Sequence, residues 1–193
     1  MFRPEIKVLD CSIRDGGLIN RWQFSDEFVR ETYKALSMAG VDYIELGYKA
    51  SRGLFDPDKY GKWRFCDDED VKRLIDGIEV RSKLSCMVDI GRVEEKDIAK
   101  KVDSPFDMIR VACYIKDVTK AIDLCNMIMD KGYETTVNIM AVSTNLEREI
   151  DEGLVDLSKS DVPIVYVVDS YGAMYCRDAG PVGDARHRGP VHG

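Results

Sequence analysis

The strongest constraint on what this chain can fold into is an alternation. Six short apolar runs, at residues 6–10, 43–47, 83–88, 108–112, 135–140 and 164–168, are separated by five stretches that carry helix signals. Apolar runs spaced roughly 25 to 40 residues apart, with helices between them, are the pattern of parallel strands covered by helices. The predicted fold class is α/β.

The stretches between the runs are read from their ends. Ser25 ahead of Asp26 and Glu27 is an N-cap with acidic residues in the first turn, and Gly40 is a stop, so a helix is predicted over 25–39. Phe28, Val29, Tyr33, Leu36 and Met38 give it an apolar face. Four more helices are predicted: 67–80 behind an acidic start, a short one over 94–102, 118–131 before Gly132, and 146–159.

Two architectures fit this order, an open doubly wound sheet and a TIM-type (β/α)8 barrel. Nearly every apolar run ends in a polar group: Asp10 with Arg14 and Asp15, Glu45, Asp89, Arg110, Asn138 with Ser143, and Asp169. A barrel gathers all such ends around one mouth, where its active sites lie. The Gly-x-Gly-x-x-Gly turn of the dinucleotide-binding alternative is missing after the first run. The prediction is a TIM-type barrel, incomplete, with about six βα units.

With 193 residues, 45% of them hydrophobic and 33% charged, there is material for one core. A formal charge of -7 and the lack of a Lys/Arg cluster argue against nucleic acid as a partner. The N-terminal apolar run is broken by Asp10, too early for a signal segment or a membrane span, so the expected location is cytoplasmic. Cys11, Cys66, Cys86, Cys113, Cys125 and Cys176 include no close metal- or redox-type pair and read as reduced thiols, several of them in the core.

From Arg177 to Gly193 the composition changes: no Leu, Ile, Met, Phe, Tyr, Trp or Lys occurs, yet both histidines, His187 and His192, do. The expected organisation is a partial barrel over 1–175 and an irregular, disordered Gly/Pro/Arg-rich tail over 176–193. Six strands leave the first and sixth unpaired unless the tail, a homo-oligomer or a second chain covers them. Such a chain is expected to be a truncated or frameshifted form of a longer protein.

The residues that carry chemistry begin at Cys11-Ser12-Ile13-Arg14-Asp15-Gly16-Gly17. A carboxylate is a hard ligand for a Mg- or Mn-type ion, and the adjacent guanidinium can hold an enolate or a keto-acid carboxylate. Gly16 and Gly17 are expected to turn the backbone just beyond the first strand. Taken alone, the same run also fits an ordinary turn with a solvated ion pair.

That motif, followed by Asn20-Arg21-Trp22-Gln23-Phe24 and by Ala39-Gly40-Val41-Asp42-Tyr43-Ile44-Glu45-Leu46-Gly47, resembles the opening of the DRE-TIM metallolyase superfamily, closest to its 4-hydroxy-2-oxovalerate aldolase branch. Ile109-Arg110-Val111-Ala112 and Asp169-Ser170-Tyr171-Gly172 are similar to the family's as well, and the resemblance covers about residues 7–175. It implies a metal-dependent aldolase or lyase that makes or breaks a carbon–carbon bond beside a 2-oxo acid, through a pyruvate-type enolate. Asp15 is then a ligand of a divalent Mn or Mg ion, Arg14 stabilises the enolate and Glu45 orients Arg14. On the residues alone, Glu45 also fits a solvated strand end. Arg110 either binds a substrate carboxylate or pairs with Asp89, and Asn138 and Ser143 are further substrate-binding candidates.

The sequence also departs from that family. The His-x-His motif that supplies two more metal ligands is missing, and positions 18–24 hold no histidine to serve as general base. Tyr48 or Tyr114 fills that role only with a strongly lowered pKa. Two alternatives stand beside the aldolase: an acetyl-CoA-dependent Claisen synthase, and a non-catalytic interaction protein whose edge strands bind a partner chain.

Overall fold

The computed structural model describes residues 5–79 and 82–175. Its strands are β1 (Leu9–Asp10), β2 (Tyr43–Tyr48), β3 (Lys83–Asp89), β4 (Met108–Cys113), β5 (Glu134–Ile139) and β6 (Val165–Val167). Its helices are α1 (Ser12–Asn20), α2 (Asp26–Met38), α3 (Asp68–Ile75), α4 (Val118–Asp130) and α5 (Glu147–Ser158). All strands are parallel and lie in chain order, β1-β2-β3-β4-β5-β6.

That order decides between the two predicted architectures. Crossovers between parallel strands are right-handed, so a sheet that always steps the same way puts its covering helices on one face and curls the other face inward. A doubly wound sheet reverses direction and has helices on both faces. The molecule is a curled, six-stranded half-barrel, as an incomplete TIM-type barrel should be.

The helical side holds the core. Val29 and Tyr33 of α2, Val71 and Leu74 of α3, Ala121, Cys125 and Ile128 of α4, and Leu154 and Leu157 of α5 belong to one buried cluster with Ile44, Leu46, Leu84, Cys86, Ile109 and Val111 of the strands. The five described cysteines are free thiols, four of them buried. No helix among the described residues is long and apolar enough to cross a membrane.

Three local expectations are corrected. Residues 94–102 form no α-helix but two 3-10 turns, Glu95–Asp97 and Lys101–Asp103. Of its apolar residues Ile98 is buried while Val102 lies in solvent, so the stretch lacks the apolar stripe that steadies a surface helix. The Arg14-Asp15-Gly16-Gly17 run, expected as a turn, lies inside α1. The predicted helix 67–80 ends at Ile75, with Gly77 left-handed at φ 69° beyond it. The tail 176–193, with both histidines, lies outside the described residues.

A candidate anion-binding site at the strand ends

Glu45 on β2 is the centre of the site and is fully buried, which excludes the solvated alternative. Arg14 of α1 donates Nε to Glu45 Oε2 at 2.8 Å. Arg110 of β4 donates Nη1 to both carboxylate oxygens, at 3.2 and 3.0 Å, and Nη2 to Asn138 Oδ1 of β5 at 2.7 Å. Its guanidinium also lies 4.4 Å from the ring centre of Tyr166 on β6. Side chains from α1, β2, β4, β5 and β6 thus converge because parallel strands in chain order bring their C-terminal ends to one rim.

One buried carboxylate serves two guanidiniums, and the other carboxylate on Arg14, that of Asp15, is largely exposed, so the buried floor of the mouth carries a positive excess. Burial opposes the charge on Arg14, but the Glu45 carboxylate overrides it and holds the guanidinium well above its ordinary pKa. Cys11, to which Arg110 Nη1 donates at 3.6 Å, has its thiol pushed up to about 11 by burial and by the Glu45 charge. It is therefore a neutral neighbour and no thiolate nucleophile.

Above this floor is a cavity of about 800 Å³ lined by Arg14, Asp15, Tyr48, Asp89, Arg110 and Asn138, among others. Tyr48 gets there through an irregularity of β2. Glu45 pairs with Ser85 but Tyr48 with Met87, so β2 spends three steps where β3 spends two. In an unbroken strand, residues three apart face opposite sides, and the extra residue returns both to the inner face. Gly47 sits within this bulge, where an added Cβ would come 1.8 Å from the carbonyl oxygen of Trp63. Burial raises the Tyr48 phenol above its usual pKa even though Arg14 lowers it, so Tyr48 is no general base of the lowered-pKa kind.

What places α1 was not visible in the residue pattern. Arg21 and Trp22 are both left-handed, at φ 58° and 59°, and fold the indole back under the helix. Trp22 Nε1 donates to the carbonyl of Arg14 at 3.0 Å. Gly17 makes this fit: a Cβ there would lie 2.0 Å from Trp22 Cδ1. Beneath the indole, the buried guanidinium of Arg64 lies 4.7 Å from the Trp22 ring centre, 4.3 Å from that of Tyr48 and 4.1 Å from that of Phe55. The doubled glycines followed by Trp22 were the only trace of this arrangement in the sequence, and nothing marked Arg64.

The remaining candidates fall differently. Asp89 pairs with Arg92 at 3.1 Å and Arg64 at 3.7 Å, so Arg110 takes Glu45 instead of the Asp89 partner weighed from sequence. Ser143 is exposed, does not line the cavity, and hydrogen-bonds Asp169. Asp15 is at the cavity rim with its side chain 59% exposed and ion-paired to Arg14. Among the described residues no group of three His, Cys, Asp or Glu is placed to hold a metal ion. Asp15 alone offers one carboxylate, already engaged with a guanidinium, so these residues do not fit a resident divalent ion.

No family model matches the chain. A 4-hydroxy-2-oxovalerate aldolase of Rhodococcus jostii (strain RHA1) is 26% identical over 177 residues, 92% of this chain and 49% of that protein. One of Pelotomaculum thermopropionicum is 25% identical over 171 residues, 89% of this chain and 50% of that protein. This chain spans about half the length of the curated relatives it matches. Among solved structures, the N-terminal domain of a protein proposed to be an aldolase, from Bacteroides vulgatus, superposes with a TM-score of 0.75 at 23% identity over 94% of this chain and 60% of that one. The carboxyl transferase domain of Rhizobium etli pyruvate carboxylase, solved with pyruvate and biocytin, gives 0.66 at 15% identity over 94% and 33%. At these identities the structural likeness is one of fold.

Proposed function

We propose that this chain carries the 2-oxo-acid-binding half of an aldolase-type lyase, in which a carbon–carbon bond beside the keto group is made or broken. The observation that carries the reading is the pair Arg14 and Arg110 sharing the buried carboxylate of Glu45 at the floor of the cavity. Two fixed guanidiniums on one buried carboxylate, with the exposed Asp15 as a further partner of Arg14, favour an anion, and the planar fork of arginine suits a carboxylate or an enolate. The names of the curated relatives support the reaction class.

The chain's own residues take the following parts. Arg110, held by Glu45 and Asn138, binds the substrate carboxylate. Arg14, oriented by Glu45, faces the keto oxygen. As the bond between the carbon α to the keto group and the hydroxyl-bearing carbon beyond it breaks, its electron pair forms the enolate C=C bond and the carbonyl π pair moves onto the keto oxygen, where the guanidinium stabilises the charge. The hydroxyl proton passes to water, and the far carbon leaves as an aldehyde. The divalent ion implied by the family resemblance has only Asp15 to hold it among these residues, and no step is assigned to it.

The test is exchange of the pyruvate methyl protons in deuterated water, followed by NMR with Mg²⁺ or Mn²⁺ supplied in the buffer. Removing a donor to a developing oxyanion typically lowers turnover by about 10² to 10³, and that loss is expected in Arg14→Gln. A folded wild-type chain that neither exchanges nor binds pyruvate would favour the second reading, an interaction protein. The unpaired outer edges of β1 and β6 among the described residues support that alternative.

A further inference from the structure

We infer that Tyr48 is a ligand-binding residue of this site, its phenol O–H donating a hydrogen bond to the oxygen of a 2-oxo acid that turns anionic against Arg14. The inference rests on the reading of the cavity as a 2-oxo-acid site and adds to it a neutral donor that the family resemblance did not point to.

Other buried tyrosines are satisfied by the protein's own backbone. Tyr33 donates its hydroxyl to the Ser82 carbonyl at 2.8 Å, and Tyr133 donates to the Ala99 carbonyl at 3.0 Å. Buried polar groups are almost always satisfied in this way, so an exception calls for an explanation. Tyr48 is only 8% exposed and lines the cavity, yet its hydroxyl has no hydrogen-bond partner among the described residues. Nor is that oxygen one of the side-chain atoms sealed away from solvent without a partner, so it opens on the cavity.

The ring, in contrast, is held from several directions. Trp22 meets it edge-on, with centres 5.4 Å apart and planes at 83°, and the Arg64 guanidinium lies 4.3 Å from its centre. The bulge in β2 fixes its backbone on the same face as Glu45. A clamped ring with a free hydroxyl has already lost its rotamer freedom before a ligand arrives, which is what preorganised donors require. A cation over the ring draws electron density from the phenol and strengthens it as a donor. Burial keeps that phenol protonated at neutral pH, the form that can donate. Tyr114, the other tyrosine weighed from sequence, also lines the cavity but is largely exposed and has no such clamp.

The experiment uses oxalate, a planar mimic of the enolate of pyruvate, titrated calorimetrically into the wild-type chain and into Tyr48→Phe, Tyr114→Phe and Arg14→Gln. The expected result is affinity about 10- to 100-fold weaker in Tyr48→Phe, the range for loss of a hydrogen bond to a charged oxygen, and within about twofold of wild type in Tyr114→Phe. A second readout does not depend on the variant's affinity: in wild-type protein with ¹³Cζ-labelled tyrosine, the resonance assigned to Tyr48 by its absence from Tyr48→Phe shifts on adding oxalate. Oxalate binding that depends on Arg14 but is unchanged in Tyr48→Phe, or a Tyr48 resonance that does not move, overturns this inference alone. Wild-type protein that does not bind oxalate, or binds it equally well without Arg14, overturns the 2-oxo-acid reading and this inference with it.

Discussion

Two arginines, both largely withdrawn from water and close together in this half-barrel, are held by opposite means. Arg14 rests on a carboxylate that lifts its pKa, whereas Arg64 lies among three aromatic rings and is pulled below its ordinary value by burial, with Asp89 as a distant counter-charge at 3.7 Å. The first arrangement keeps a charge available at the cavity floor. The second uses a cation to tie together rings from the segment after α1, the end of β2 and the loop that follows it. Charge pairing here builds the site, and cation–π contact builds its support.

Removing the carboxylate should break this comparison most severely. Glu45→Gln leaves two guanidiniums near each other with no buried counter-charge, and breaking a buried pair typically costs about 3 to 5 kcal/mol. Urea unfolding should show a loss of that order, and a loss below about 1 kcal/mol would mean that solvent, not Glu45, carries these charges. Arg64→Met should cost less, about 1 to 2 kcal/mol, because methionine fills much of the same space and keeps favourable contacts with rings. High salt should leave that difference unchanged, and a strongly salt-dependent difference would show that Asp89 matters more to Arg64 than the rings do.

The smallest effect is nil at neutral pH. The Cys11 thiol titrates at about 11 in the folded chain against 9.0 unfolded, owing to burial and to Glu45. Its folded pKa is raised, so its contribution is fully present below pH 9 and is lost as pH climbs from 9 through 11. Wild-type stability should therefore fall more steeply than that of Cys11→Ser across that interval. Cys125, also raised to about 11 by burial, adds a similar fall to both proteins. Parallel unfolding curves from pH 8 to 11 would show that neither burial nor Glu45 keeps the thiol protonated.

How much of this was legible in the sequence follows from the range of the forces involved. The strands were readable because each apolar run is its own signal, and α2 because Ser25 caps it, accepting from the Phe28 amide at 3.2 Å. Glu45, Arg110 and Asn138 were readable as strand-end polar residues, and chain-order pairing brings them together. The helix α1 was missed because glycines weigh against helix by about 1 kcal/mol each, while the indole that Gly17 admits comes from beyond the helix. Arg64 and the bulge at Gly47 depend on the 49–67 connection, whose path no local pattern specifies. Tyr48 was legible as a residue but not in its role, since strict alternation would have turned it away from Glu45.

The chain-order pairing of the strands also bears on how this molecule comes into being. Paired residues on neighbouring strands are 23 to 40 positions apart along the chain, from Ser85 with Met108 to Tyr43 with Lys83. Each new strand therefore finds its partner in the segment made just before it, and every loop to be closed is short. At a synthesis rate of about 5 to 20 residues per second, one βα unit emerges every few seconds, ample time for it to settle on the last. The half-barrel can grow by accretion from its N-terminal side, and the Arg14–Glu45–Arg110 floor is complete in sequence once β4 has emerged.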